Sequence, residues 1–166
     1  TFTGVNAGRT SHPGLEAIIN FPILIDENFK ITSSNSFSKY WYLFKDFNNR
    51  GIDFSKNKLT GVPNYTSYSK IKIDFKNYIV QISFANVGKI PINDANELFT
   101  DAFSIFDLKL SRLISFKNFN ANISSGINNI LDKKYASGVV INARSFGGRD
   151  PRYYYPGLPR NYYLSL

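Results

Sequence analysis

The chain has 166 residues, enough for one domain with a sizeable core, and its formal net charge is +8. Aromatic side chains make up 16% and charged ones only 19%, with no Cys and a single His, which excludes a disulfide framework, a thiolate metal site and a thiol nucleophile. No window approaches about 18 consecutive apolar residues, so no transmembrane helix is expected, although a membrane-spanning β-strand needs only about 9–11 residues with one apolar face.

Period-two alternation dominates the chain. In Leu15 to Phe21 the odd positions Leu15, Ala17, Ile19 and Phe21 are apolar, while Glu16 and Asn20 fall on the other face. Asp26-Glu27-Asn28 is a short polar turn. The Ser-rich stretch Lys30 to Phe44 is the next strand, and it ends in the aromatic cluster Tyr40-Trp41-Tyr42. A long loop from Asp46 to Pro63 follows, punctuated by Asn48-Asn49-Arg50-Gly51 and Gly61-Val62-Pro63. Ile71, Ile73 and Phe75 then oppose Lys70, Lys72 and Asp74, and Tyr78, Val80, Ile82 and Phe84 oppose Ile79, Gln81, Ser83 and Ala85. Lys76-Asn77 between them has the length of a two-residue hairpin turn. After a loop from Gly88 to Glu97, Phe106, Leu108 and Leu110 alternate with Asp107, Lys109 and Ser111. A turn at Ser115 to Asn118 leads to Phe119, Ala121, Ile123 and Ile127, which alternate with Asn120, Asn122, Ser124 and Asn128. A loop from Leu131 to Pro159 precedes the last strand, Arg160 to Leu166, with Tyr162, Leu164 and Leu166 on one face.

The reading predicts seven strands in which short turns and long loops strictly alternate. Outer-membrane barrels have short periplasmic turns and longer extracellular loops. Seven strands in lipid leave two unpaired edges, and unsatisfied backbone groups in hydrocarbon cost several kcal/mol each, so such a sheet must close. Seven strands enclose too little space for a plug, whereas in a 22-stranded plugged barrel they would form about the last third. The absence of Met adds to the expectation of a portion of a longer chain.

Several segments, in order, resemble the end of a TonB-dependent outer-membrane receptor. Asn6-Ala7-Gly8-Arg9-Thr10 with Gly14-Leu15-Glu16 is similar to that family's Asn-Ala-Gly…Gly-Val/Leu-Glu strand. Leu59-Thr60-Gly61-Val62-Pro63 and Asn93-Asp94-Ala95-Asn96 resemble its loop segments. The most specific pieces are Asn129-Ile130-Leu131-Asp132-Lys133-Lys134-Tyr135 and Pro159-Arg160-Asn161-Tyr162-Tyr163. The family's closing strand is longer and ends in an aromatic residue, whereas this chain stops at Leu166. The resemblance implies an all-β, antiparallel up-and-down transmembrane β-barrel, with residues 1–166 as its C-terminal part and with the plug domain and earlier strands outside this chain. It implies a bacterial outer-membrane transporter that takes up a scarce ligand such as an iron–siderophore complex. Its partners would be the rest of the barrel, the plug, TonB through the N-terminal part, lipopolysaccharide and the small-molecule ligand.

The aromatic and basic run in the last loop is the candidate ligand site: Arg144, Phe146, Arg149, Arg152, Tyr153, Tyr154 and Tyr155. Arg pairs bidentately with carboxylate or phosphate and stacks on aromatic rings. Tyr adds a broad amphipathic face with a hydrogen-bonding tip. Packing among loops, or contact with acidic lipid A headgroups, is the plainer role for the same residues. Glu16, on the polar face of its strand, is the candidate for contact with a plug. Asp94, Asn96 and Glu97 loosely resemble a calcium loop but lack its ligand count and its glycine, and His12 has no convergent metal partner in sequence. No metal or cofactor is called.

The basic residues lie in loops or alternate along strands, without a run or signature for nucleic acid. No nucleophile–base pairing of the common kinds is available with one His and no Cys, so no catalytic residue is assigned and the chain reads as a non-enzyme. The alternative is a secreted β-sandwich binding or adhesion module that grips a glycan or protein with the Tyr/Arg loop, its sheets burying their apolar faces against each other. A small standalone barrel would need an even strand number.

Overall fold

A computed structural model describes residues 8–145 and 147–166. It contains thirteen strands and no helix among the described residues. They are β1 (Arg9–Ser11), β2 (Gly14–Ile25), β3 (Phe29–Tyr40), β4 (Leu43–Asp46), β5 (Asn48–Asn49), β6 (Ile52–Asp53), β7 (Tyr65–Phe75), β8 (Tyr78–Val87), β9 (Phe103–Ser115), β10 (Asn120–Asn128), β11 (Ala136–Val139), β12 (Tyr154–Pro156) and β13 (Asn161–Ser165). Seven of them form one antiparallel sheet in the order β13-β10-β9-β8-β7-β3-β2. Each long strand pairs with the next in sequence, so the sheet is a meander. The remaining six form three two-stranded ribbons, β1–β4, β5–β6 and β11–β12. All seven expected strands are present.

Register carries the alternation across the whole sheet. Residues directly opposite in neighbouring strands share a face. Ile73 faces Ile31 and Val80, Ile82 faces Ile71 and Leu108, and Leu110 faces Val80 and Ser125. The apolar sets of all seven strands therefore fall on one side. The other side holds the Ser, Lys, Asn and Asp sets: Lys72 sits between Thr32 and Gln81, and Ser111 between Ile79 and Ser124. Many of these polar groups satisfy one another, as in Ser111–Ser124 (2.9 Å), Tyr68 donating to Ser83 (3.1 Å) and the Lys72–Asp74 ion pair (2.8 Å). Ile18, Ile25, Ile79, Ile105 and Leu113 are among the apolar exceptions on that polar side.

Among the described residues, nothing covers the apolar side. Ile19 is 60% exposed, Ile82 41%, Leu110 45% and Leu164 78%. The buried hydrophobic residues among those described are Phe44, Phe47 and Ile92, and none belongs to the seven-stranded sheet. The β-sandwich alternative is therefore corrected: it needs a second sheet against the apolar face, and the other sheets are two-stranded ribbons at the sheet's end. Contiguous apolar patches larger than a few hundred Å² mark surfaces that meet another protein or a membrane. Strands β2, β3, β7, β8, β9 and β10 have 12, 12, 11, 10, 13 and 9 residues, the length a tilted strand needs to cross a bilayer.

The three short turns lie at one end and the three long connections at the other. Lys76 takes a φ of 52° in the tight turn between β7 and β8, as the twist-compatible hairpin turns require at their first central residue. The ladder between β2 and β3 shifts register between Pro22 and Leu24, where proline has no N–H to donate.

The structure corrects two boundaries. The stretch Lys30 to Phe44 is two strands, because β3 stops at Tyr40 and β4 pairs instead with β1. Pro13 interrupts the partner strand at that level, its carbonyl accepting from Trp41 N at 3.0 Å. β7 begins at Tyr65, five residues before the expected start, because Thr66, Ser67 and Ser69 carry no apolar alternation yet pair in register with β3 and β8.

Candidate functional site

At the long-loop end, three connections interlock through two polar knots. The first centres on Asp94 in the loop between β8 and β9. Its Oδ1 accepts from Thr60 Oγ1 at 2.6 Å, and its Oδ2 from Asn142 Nδ2 at 2.9 Å. Its backbone N–H donates to Asn142 Oδ1 at 3.1 Å, and its carbonyl accepts from Asn57 Nδ2 at 2.8 Å. One aspartate thus ties the loop after β6 to the loop after β11. Asn96 adds a reciprocal pair with Lys58, and the carbonyl of Ile92, 1% exposed, accepts from Asn142 N at 2.8 Å. The residues read as a loose calcium loop are thus used to join loops, and no group of three or more His, Cys, Asp or Glu converges among the described residues.

The second knot explains the Asn129 to Tyr135 motif. Asn129 is 2% exposed and has a φ of 51°, a backbone region that asparagine tolerates better than most residues. Its N–H donates to Asp107 Oδ1 at 2.8 Å. Its side-chain amide donates to the carbonyls of Lys133 (2.9 Å) and Leu158 (3.1 Å), while its Oδ1 accepts from Lys133 N (2.9 Å). Asp132, also at positive φ, accepts from Arg160 N at 2.9 Å. The motif therefore clasps the beginning of the last loop to its end and sets β13 beside β10. Tyr135 lies over Gly157, where no side chain would fit, and packs at a tilt against Phe103, ring centres 4.8 Å apart.

The candidate ligand residues divide between two recesses. Arg144, Arg149 and Arg152 line one of about 440 Å³, together with Val140, Ala143 and Asp150. None of the three arginines has a carboxylate within ion-pair distance among the described residues, although Asp150 lines the same recess. Phe146 lies outside the described residues. Tyr154 belongs to the other recess, of about 490 Å³, with Phe99, Phe103, Lys133, Lys134 and Tyr135. Tyr153 is half-buried beside Tyr154, their rings 6.2 Å apart. Tyr155 sits opposite Gly138 in the β11–β12 ribbon and is 62% exposed. Alternation along β12 separates the tyrosines that sequence reading had grouped together.

The second recess was not anticipated. Its lining comes from two loops, and only the Lys133-Lys134-Tyr135 run hinted at it. Glu16 lies on the polar face of β2 opposite Ser38, exposed and without an ion pair among the described residues. His12 packs against Tyr42, ring centres 4.7 Å apart. At the end of β6, Asp53 has its carboxyl held below the usual carboxylate range by hydrogen bonds from the side chain and backbone of Ser55.

Among solved structures, the chain resembles the siderophore receptor PiuA from Acinetobacter baumannii, with a TM-score of 0.69 over 93% of this chain at 16% sequence identity. At that identity the likeness shows the fold, an all-β sheet matching a portion of a β-barrel receptor. The chain spans 21% of that receptor's length. No protein-family profile matches the sequence, and no curated protein matches it.

Proposed function

We propose that this chain is the C-terminal barrel wall, with its extracellular loops, of a TonB-dependent outer-membrane transporter that imports an iron–siderophore complex. The observation that carries the reading is the seven-stranded meander with one uncovered apolar face, one polar face and all long loops at a single end. Lipid would cover the apolar face, and the polar face would line a lumen occupied by the plug, with Glu16 positioned to meet it. The rest of the barrel would close both edges, β2 and β13.

The mechanism contains no covalent step in this chain. The arginine recess attracts the anionic groups of the chelate, and the Tyr154 recess offers aromatic surface and two ammonium groups at the same end. The Asp94 and Asn129 knots hold the loops in fixed relation, which lowers the ordering cost of capture. Release into the periplasm would follow from plug movement driven through TonB.

The test is uptake of radiolabelled ferric siderophores by iron-starved cells carrying the full-length receptor. Expected are a polypeptide several times 18.9 kDa in purified outer membranes and uptake that falls at least about tenfold when Arg144, Arg149 and Arg152 are all changed to Ser. A native protein that stays monodisperse in water without detergent overturns the reading. Unchanged uptake in the folded triple variant removes the arginine recess from it.

A further inference from the structure

The short-turn end carries a feature that ligand capture does not use. Phe75 and Tyr78 are cross-strand partners on either side of the Lys76-Asn77 turn and lie on the apolar face. Lys76 Nζ stands 5.3 Å from the centre of the Phe75 ring. Arg112 of β9 lies directly opposite Tyr78, hence on the same face, and its guanidinium is 5.2 Å from the Tyr78 ring centre. Phe29 extends the aromatic surface, 5.6 Å from Phe75. Two cations thus flank one aromatic pair at the rim of the uncovered wall.

Neither cation is neutralised. The ion pairs among the described residues are Arg9–Asp46 and Lys72–Asp74, and the second of these lies on the opposite face. An arginine amid Leu110, Ile114 and Ile123 is costly in hydrocarbon unless it is close to the interface and meets an anion. Arg112 is level with the first residue of β8, so it stands at the rim. Rings below and charges above match the two parts of a phospholipid: apolar chains and a phosphodiester. The guanidinium fork suits phosphate bidentately and the ammonium adds a point charge.

We propose that Lys76 and Arg112, seated over Phe75 and Tyr78, bind the phosphodiester headgroup of an anionic phospholipid in the leaflet on the short-turn side. Two uncompensated positive charges select a lipid with net negative charge over a zwitterionic one, whose own ammonium group repels them. The site rests on the reading that the apolar face meets lipid, and it is independent of what the loops capture.

The test is native mass spectrometry of the full-length receptor in detergent, titrated with phosphatidylglycerol or phosphatidylethanolamine. Phosphatidylglycerol is expected to be retained preferentially. Retention should fall about tenfold in the Lys76→Gln/Arg112→Gln variant, survive largely in Arg112→Lys, and be unchanged in Lys30→Gln, which alters a cation at the same end but on the polar face. Heat-modifiable gel migration verifies that each variant is folded, and Lys76→Gln alone, in an exposed turn, should show part of the loss. Equal retention of the two lipids, or full retention by the folded double variant, overturns the site while leaving the membrane reading intact. A receptor that needs no detergent and carries no lipid overturns both.

Discussion

Replacing Asn129 should open the last loop without unfolding the sheet. Its side chain makes three hydrogen bonds, to the carbonyls of Lys133 and Leu158 and from the N–H of Lys133, at 2.9, 3.1 and 2.9 Å. The residue is 2% exposed, so water does not readily replace them. At about 1 kcal/mol net for each bond, the loss is about 3 kcal/mol, and more if the partners stay buried and unpaired. Asn129→Gly removes the bonds but keeps the φ of 51° without strain. Asn129→Ala loses the same bonds and adds about 1 kcal/mol for a left-handed backbone. Both retain the N–H bond to Asp107, so β10 keeps its end. About 3 kcal/mol corresponds to about two orders of magnitude in the local opening equilibrium. Hydrogen exchange followed by mass spectrometry on the folded protein reads it directly: peptides within residues 129–160 should exchange about a hundredfold faster, while β8 peptides are unchanged, and Ala should exceed Gly. Wild-type protection of residues 133–158 in folded Asn129→Gly would refute the clasp.

Three further outcomes follow from the same geometry. Ile71 lies between Lys70 and Lys72 in β7 but on the apolar face, so, on the proposed reading that this face meets outer-membrane lipid, Ile71→Lys should cost up to about 2–4 kcal/mol and deplete the assembled protein from the membrane, whereas Lys70→Ile should assemble normally; equal assembly of both variants would invert the face assignment. A Cβ on Gly126 would meet the Tyr163 ring at 2.5 Å, so Gly126→Val should weaken the β10–β13 pairing by about 1–3 kcal/mol in urea unfolding, and Tyr163→Ala should relieve part of that loss. The Asp53 turn should contribute its local order above the unfolded carboxyl pKa and lose it as pH falls through the lowered folded value; a carboxyl NMR titration should place Asp53 below the ordinary range, and Ser55→Ala should move it back up.

The sheet was legible because a strand's side chains alternate with a fixed period of two. Lys70 to Phe75, Tyr78 to Ala85 and Phe106 to Ser111 each state which residues share a face, and three short turns force neighbouring strands to pair antiparallel. Local pattern therefore determined strand number, order and the sidedness of the wall. It failed at Tyr65 to Ser69, where small polar side chains carry no alternation and only pairing with β3 and β8 makes a strand. The loops were opaque for another reason. Ribbons β5–β6 and β11–β12 depend on contacts across irregular backbone, and nothing near Asp94 in the chain announces Thr60 or Asn142 as its partners. The run from Arg144 to Tyr155 marked the right loop, yet tertiary structure alone divided it, gathering three arginines into one recess and sending Tyr154 to another with Phe103 and Tyr135. Sequence determined the wall because its signal is local and repeats every second residue; the loop end was decided largely by hydrogen bonds between residues 22 to 48 positions apart, which only the folded chain brings together.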